Sequence, residues 1–390
     1  MSEESMSGES ARVSNPVPVQ LGRRGTLTHA SQTLVEADRI MSICNACRYC
    51  EGLCAVFPAM ERRRAFADGD LEFLSNLCHN CGACFHDCQY APPHEFAVGV
   101  PATFAALRRE TWSRHAWPRV MGKAFERNAL ATVAIVVAAV AVFIGLVAAS
   151  MGSDFGEAHT GSGSFYEVVP HGVIVSVFLV GFSMGLGSLA ISLRRFWRAI
   201  GGGSVTKADL LSAGRSASTL EYLDGGGVGC MNDDEHPTDT RRRYHHMTYY
   251  GFALCLAATS LAAVLESGFG QEAPYSWWHP VVVLGALGGI GLIVGPAGLL
   301  AAKRHRDPQL GDADSLPMEL AFLGMMLVLS VTGFGVLIFR ETAAMPALFA
   351  VHLGVVFAFF ITIPYSKFVH GFYRYLAIVK DRQERRELVK

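Results

Sequence analysis

The hydrophobic positions of this chain are concentrated in long runs after residue 128, whereas shorter amphipathic segments precede them. Six of these runs are close to the ~20 residues that an α-helix needs to cross the hydrocarbon core of a bilayer. The runs lie at 129–150, 169–193, 247–265, 279–302, 317–339 and 346–366. The pattern predicts a mainly α protein that contains a bundle of six transmembrane helices.

Positive charge alternates between the loops that join these runs. Lys and Arg are absent from 151–170 and 266–278, whereas the loop 194–246 and the C-terminal segment are rich in them. Basic loops stay on the cytoplasmic side of a membrane. We therefore expect a multi-pass protein of the cell inner membrane with both termini in the cytoplasm.

The rest of the chain is divided by its composition. Residues 1–38 lack a sustained apolar period, which predicts a mobile tail. Residues 39–100 are rich in cysteine, and 101–128 combine Arg and Lys with Trp, which indicates a basic approach to the membrane surface. The membrane domain is predicted at 129–376, with a cytoplasmic loop at 194–246 that contains an amphipathic stretch at 205–222. Residues 377–390 are predicted to be a charged tail.

The amino-acid composition narrows the class of protein in two ways. The chain is 51% hydrophobic and 17% charged, which is well below the ~25% charge of a soluble domain and agrees with a membrane protein. Basic residues do not form a stripe interleaved with aromatic residues, so nothing predicts nucleic-acid binding.

The cysteine-rich part contains the spacing C-x2-C-x2-C-x3-C twice, at 44–54 and 78–88. This spacing is typical of ferredoxin-like domains with two 4Fe–4S clusters, in which the fourth Cys of each run ligates the other cluster. One predicted cluster is ligated by Cys44, Cys47, Cys50 and Cys88. The other is ligated by Cys78, Cys81, Cys84 and Cys54. The alternatives are a disulfide framework or zinc sites, but disulfides suit secreted domains and zinc leaves the third Cys of each run without a role.

Histidines within the apolar runs predict b-type haem. His352 and His370 are eighteen positions apart, about five turns, so one continuous helix would present them on one face roughly 27 Å apart. A haem iron between two imidazoles needs a second His at the same depth. His245 and His246 are candidates near the cytoplasmic side, and His171 and His279 near the outer side. Packing for His352 and a place in the interfacial aromatic belt for His279 are the alternatives, and the number of haems, one or two, stays open.

Other polar residues have simpler interpretations. The segment 225–230 is too rich in Gly for a helix or strand and is read as a loop, which makes Cys230 a loop thiol. Cys255 is expected to pack inside its helix. His79, His86 and His94 lie beside the cysteines and are expected to form hydrogen bonds or packing contacts there.

Two resemblances to known families are visible. Residues 364–370, together with His352, resemble the last helix of dihaem quinol-oxidising membrane proteins of the nitrate reductase gamma-subunit type. Most of the chain after residue 38 resembles the tricarballylate utilization protein B family, also called the CitB-domain family. That likeness is carried by the cysteine runs, by 90–96 (YAPPHEF), by 225–230 (GGGVGC), by His245 and His246 with 250–252 (YGF), and by 364–370.

The second resemblance implies a membrane electron-transfer partner of an FAD-dependent tricarballylate dehydrogenase. Such a protein reoxidises the FADH2 of its partner and passes electrons to the quinone pool. We expect two 4Fe–4S clusters and b-type haem to carry them, with no catalytic residue of its own, so the chain is an oxidoreductase subunit rather than a stand-alone enzyme. One alternative is the same electron-transfer role for another flavoprotein, for example in cobalamin synthesis. Another is a membrane redox sensor.

Overall fold

The computed structural model describes residues 28–125, 129–227, 229–232, 234 and 236–388. Residues 1–27 of the predicted tail, Val228 of the glycine-rich segment, and the last two residues of the chain lie outside the described residues. The structure is mainly helical. The helices of the cysteine-rich part are α1 (Gln32–Cys47), α2 (Val56–Glu61), α3 (Asp68–Leu77), α4 (Ala83–His86), α5 (Val100–His115) and α6 (Arg119–Ala124).

Long helices dominate the second part. They are α7 (Ala129–Met151), α8 (Ser164–Val168), α9 (His171–Ala199), α10 (Lys207–Thr219), α11 (Thr240–Phe269), α12 (Pro280–Lys303), α13 (Leu316–Phe339), α14 (Met345–Thr362) and α15 (Val369–Leu388). Two short strands, β1 (Cys230–Met231) and β2 (Pro237–Thr238), pair antiparallel. Single 3-10 turns lie at Gly152–Gly156, Glu221–Leu223, Pro308–Leu310, Ala313–Ser315 and Ile363–Tyr365.

Helix α1 begins inside the segment that was predicted to be a tail. The hydroxyl of Ser31 accepts a hydrogen bond from the backbone N–H of Leu34 at 3.3 Å and caps the helix. Leu34, Ala37 and Met41 lie on one face of α1 and are fully buried. The tail prediction was therefore wrong for residues 32–38, because this short apolar face packs into the cysteine-rich core.

Helices α7, α9, α11, α12, α13 and α14 correspond to the six predicted apolar runs. In the described part of the chain, six helices are long and apolar enough to cross a membrane. Large side chains such as Leu130, Leu146, Leu179 and Ile338 are mostly exposed on these helices. An apolar outer surface of this extent suits lipid rather than water. The chain is a multi-pass membrane protein.

Glycines bring α11 and α12 into backbone contact. A Cβ added to Gly291 would lie 2.9 Å from the carbonyl oxygen of Met247 and 3.0 Å from the Cα of Gly251. A Cβ on Gly288 would lie 2.8 Å from the backbone nitrogen of Cys255. Small residues allow such close packing of membrane helices. This contact fixes the position of α11, whose first turns contain His245 and His246.

The last apolar run does not continue as one helix to His370. Helix α14 ends at Thr362, Pro364 lies in a 3-10 turn, and Ser366 is extended with ψ 175°. A Pro lacks the N–H that an α-helix would need at this point, so the helix stops and restarts at Val369. The prediction of one continuous helix with His352 and His370 on a shared face was wrong.

Helix α15 turns back into the cysteine-rich part. Its residues Tyr373, Ala377 and Ile378 are buried in one core with side chains of α1, α3 and α5. Asp381 is fully buried and accepts a hydrogen bond from Arg62 at 2.7 Å. The segment 377–388, which was predicted as a charged tail, is thus helical, and one face of it, including Asp381, is buried in the protein.

The loop 194–246 folds over the second cysteine run. The predicted amphipathic stretch forms α10, and Thr206 caps it by accepting a hydrogen bond from the backbone N–H of Asp209 at 3.2 Å. The backbone N–H of Met231 in β1 donates to the carbonyl of Cys81 at 2.9 Å. This bond attaches the loop to the cysteine run that it covers.

Candidate iron–sulfur and haem site

The first cavity of the cysteine-rich part has a volume of about 250 Å3. It is lined by Cys44, Cys47, Cys50 and Cys88, among others. Two of these residues come from the last turn of α1, which ends because Arg48 is left-handed with φ 58°. The chain then turns back, so three cysteines lie around one opening and the fourth arrives from the second run.

The second cavity is narrower and is lined by Cys54, Cys78, Cys81 and Cys84. Gly82 has φ 92° and directs the chain from the loop into α4; a Cβ there would lie 2.6 Å from the side chain of Leu310. Each cavity is thus lined by the four cysteines that the crossed ferredoxin pattern assigns to one cluster, and the assignment of ligands to each cluster stays a prediction. Among the described residues, no three His, Cys, Asp or Glu side chains are grouped as ligands of a single metal ion. Cys84 also lines the first cavity, so the two sites are neighbours.

Burial raises the pKa of the Cys44 thiol, and the neighbouring Cys50 and Cys88 raise it further. Burial also raises the pKa of Cys81, to about 11, although the backbone N–H of Ala83 acts in the opposite direction. Several thiolates crowded together at such positions would be stabilised by a bound cation. Iron supplies that charge in a 4Fe–4S cluster, so the donor sets fit such clusters.

The structure brings two of the predicted haem ligands together. The rings of His245 on α11 and His370 on α15 have centroids 5.9 Å apart at an interplanar angle of 76°. Nδ1 of His370 donates to the carbonyl of Lys367 at 2.5 Å, which leaves its Nε2 as a free acceptor. Nδ1 of His245 is buried and has no hydrogen-bond partner among the described residues. Since metal–imidazole bonds are about 2 Å long, two imidazoles this close would be able to hold one metal ion.

Three other candidates lie in different surroundings. The ring of His246 lies 5.8 Å from that of Tyr250. The ring of His171 lies 5.2 Å from that of Tyr166. His279 stacks on Tyr275 at 4.5 Å, and its Nδ1 caps α12 by accepting the N–H of Val281 at 3.3 Å.

His352 lies within α14, and its Nδ1 is 3.0 Å from the hydroxyl of Thr332 on α13. A Cβ added to Gly333 would lie 3.2 Å from its ring, so the imidazole packs closely on α13. No second imidazole stacks or packs against it in the part of the chain that the structure describes. The outer-level pair that the sequence indicated therefore stays a prediction.

The three histidines beside the cysteines form hydrogen bonds or charged contacts nearby. Nδ1 of His79 is 3.0 Å from the carbonyl of Leu77, and burial followed by the charge of Arg374 holds the pKa of His79 well below its usual range. Nδ1 of His94 accepts the N–H of Phe96 at 3.1 Å. Nε2 of His86 lies 3.6 Å from a carboxylate oxygen of Asp307.

The remaining two cysteines do not belong to either set of four. Cys230 begins β1, is buried, and donates to the carbonyl of Leu223 at 3.4 Å. Cys255 lies in α11, with its sulfur 3.9 Å from the carbonyl of Gly285. Residue 230 thus starts a short strand within a segment that the sequence indicated as a loop.

The basic segment contains side chains that are used inside the protein. Arg108 is buried and donates to the carbonyl of Ser75 at 2.8 Å. Arg109 forms an ion pair with Asp312 at 2.9 Å, and Arg114 with Glu72 at 2.7 Å. These three side chains are therefore engaged in contacts within the protein.

Sequence reasoning missed the link between the second cysteine set and the histidine pair. Nη2 of Arg374 donates to the carbonyl of Cys78 at 3.0 Å. Arg374 lies four residues after His370 on α15, which places both side chains on one face of the helix. The only signal in the sequence was this spacing of i and i+4, and it became meaningful once α15 was seen to enter the cysteine-rich core.

A domain with two four-cysteine cavities, joined to a bundle of six membrane helices, defines a membrane-bound iron–sulfur protein of the electron-transfer class. Residues 37–114 match the Fer4-like domain of citrate utilization protein B, and residues 126–389 match the family model of citrate utilization protein B. The chain belongs to the citrate utilization protein B family. It is 47% identical over 352 residues to citrate utilization protein B of Escherichia coli, which covers 90% of this chain and 92% of the relative. No solved structure matches the chain.

Proposed function

We propose that this chain is the membrane electron-transfer subunit for a partner flavoprotein of the tricarballylate dehydrogenase type. It reoxidises the FADH2 of that partner and delivers the electrons to the quinone pool. The E. coli relative bears the name citrate utilization protein B, which supports a role in the use of a small polycarboxylic acid. The substrate itself is oxidised by the partner.

One observation carries this proposal. The carbonyl of Cys78, the first residue of the second cysteine run, accepts a hydrogen bond from Arg374 on α15. His370 lies one turn before Arg374 on the same helix, and its ring packs against that of His245. A short and buried connection therefore joins the cysteine-rich domain to the imidazole pair at the edge of the bundle.

The first cavity is the suitable entry point for electrons. Cys47 is exposed and Tyr49 is 73% exposed at the mouth of this cavity. Cys78 in the second cavity is buried. A soluble flavoprotein can approach the first set of cysteines closely, whereas the second set faces the arginines and α15.

Flavins and quinones each exchange two electrons. When bound, two 4Fe–4S clusters and one b-type haem would allow these electrons to pass one at a time from the flavin to the quinone. Cys44, Cys47, Cys50 and Cys88 would hold one cluster, and Cys78, Cys81, Cys84 and Cys54 would hold the other. His245 and His370 would hold the haem. The Lys367 carbonyl orients the His370 ring by accepting its Nδ1 proton.

The orientation in the membrane follows from the charges. The basic loop 194–246 covers the cysteine-rich domain, and the loops at 151–170 and 266–278 lack Lys and Arg. By the positive-inside rule, the iron–sulfur domain and both termini lie in the cytoplasm and the bundle lies in the cell inner membrane. Clusters assembled in the cytosol would then stay on the side where a soluble flavoprotein is present.

The test is an anaerobic reconstitution with detergent-purified protein. Photoreduced free flavin is mixed with the protein, and the haem absorbance and the cluster absorbance are followed before and after a water-soluble quinone is added. We expect the haem to be reduced and then reoxidised by the quinone, and Cys78→Ser to block reduction of the haem. Protein that contains its cofactors but does not pass electrons to the quinone would contradict the proposal.

A further inference from the structure

Four arginines from four separate segments converge on three consecutive carbonyls of the second cysteine run. Arg108 and Arg374 donate to the carbonyl of Cys78 at 3.3 and 3.0 Å. Arg241 donates to the carbonyl of Asn80 at 2.7 Å and to that of His79 at 3.4 Å. Arg306 donates to the carbonyl of Asn80 at 3.4 Å. We name Arg108, Arg241, Arg306 and Arg374 the arginine cluster.

The arginine cluster lacks a carboxylate partner. None of its four side chains forms an ion pair within 4.0 Å with a carboxylate of the described residues. Nε of Arg374 is buried without a hydrogen-bond partner in the same part of the chain. Burial, followed by the charge of Arg241, lowers the pKa of Arg306 to about 10. Arg108 is buried and the other three arginines are partly buried. Grouping four such cations with no carboxylate within 4.0 Å is costly, so this site is suited to a strong anion.

The anion that the geometry offers is the second cluster. A cluster held by four thiolates is negatively charged, and reduction adds one more negative charge. Nearby positive charge stabilises the reduced form and raises the reduction potential. The first cavity lacks such a set; its lining includes the carboxylate of Asp87, and Arg48 at its edge is exposed. The two sites therefore have opposite electrostatic surroundings.

We propose that the arginine cluster raises the reduction potential of the iron–sulfur cluster at Cys78, Cys81, Cys84 and Cys54 above that of the cluster at Cys44, Cys47, Cys50 and Cys88. This inference rests on the proposed function and adds to it the direction in which electrons move between the two clusters. A single electron leaves the first site as the second site accepts it, with no bond made or broken. The flavin of the partner is the electron source, and the histidine pair lies near Arg374 and Arg241.

The arginines are positioning residues, because they act on the cluster through its loop and its field. The main test is a redox titration followed by electron paramagnetic resonance on detergent-purified protein. Arg241→Gln removes one positive charge. Arg241→Lys keeps the charge but lacks the planar guanidinium group that donates several hydrogen bonds. The control is Arg243→Gln, which removes an equal charge from an exposed position on the same helix. The cluster signal that survives in Cys44→Ser identifies the second cluster.

We expect the second cluster in Arg241→Gln to be reduced at a lower potential than in the wild type, with the first cluster unchanged. Arg241→Lys should remain closer to the wild type than Arg241→Gln, and Arg243→Gln should not differ from it. If Arg241→Gln fails to fold, Arg306→Gln, which loses a donor to the same carbonyl, is measured with the same expectation. Equal potentials in wild type and variant, with both clusters present, would overturn the inference. Absence of clusters from the wild type would instead overturn the proposed function.

Discussion

The guanidinium group of Arg374 donates a hydrogen bond to the backbone carbonyl of Cys78 at 3.0 Å, across 296 positions of sequence. This bond connects α15 to the loop that begins the second cysteine run. Because His370 precedes Arg374 by one turn, the position of the loop and the position of the imidazole pair are coupled. The account of electron transfer depends on this coupling, and the predictions below test its parts.

The two cysteine sets are predicted to hold separate clusters. Replacing Cys44 or Cys78 with Ser removes one ligand from one cavity only, so the iron content should fall from about eight to about four per chain. Iron analysis and electron paramagnetic resonance of the reduced protein provide the measurement. Cys255→Ser is the matched control, because this thiol lies in α11 and lines neither cavity. An iron content that Cys78→Ser leaves unchanged would rule out this ligand set.

The burial of α15 predicts a strong effect at Asp381. This carboxylate is fully buried, bound by Arg62 at 2.7 Å and paired with Arg385 at 2.9 Å. Asp381→Ala leaves the partly buried Arg62 with fewer partners, and loss of one member of a buried pair costs roughly 3–5 kcal/mol of stability. The midpoint of thermal unfolding in detergent should fall clearly. Glu387→Ala on the exposed face of the same helix should change it little, and equal midpoints for both variants would contradict the burial of α15.

Contact between α11 and α12 predicts intolerance to small side chains at one position. In Gly291→Ala the new methyl group would lie 2.9 Å from the Met247 carbonyl, so the helices must separate. Overpacking of this kind costs about 1–3 kcal/mol. The thermal midpoint should fall, and since His245 lies at the start of α11, haem content should fall too. Gly324→Ala, at a helical position with open space around it, is the control and should leave both values close to the wild type.

The local patterns of this fold could be predicted from the sequence. The spacing of Cys44 to Cys54, repeated at Cys78 to Cys88, indicated two sets of cluster ligands. The apolar runs indicated the six long helices of the membrane bundle. Each of these signals lies within about 25 consecutive residues, where periodicity and ligand spacing are directly readable.

Features that depend on distant packing could not be predicted. The sequence could not separate His245 from His246, because adjacent residues on a helix point in directions about 100° apart and either could face the core. The charged residues after position 376 indicated solvent exposure, since their partners Arg62 and Arg63 lie more than 300 positions away. The arginine cluster was concealed in the same way, because its members come from four segments that lie 30 to 296 positions from the carbonyls they bind.

The central claim is that this chain holds one haem between His245 and His370, next to the second cysteine set. The most direct measurement is haem per chain, by pyridine haemochrome assay, in the wild type and in His245→Ala, His370→Ala and His246→Ala. The account predicts about one haem in the wild type, none in His245→Ala or His370→Ala, and an unchanged value in His246→Ala, whose ring lies beside Tyr250. Full haem content in His245→Ala or His370→Ala, or a wild type without haem, would contradict it.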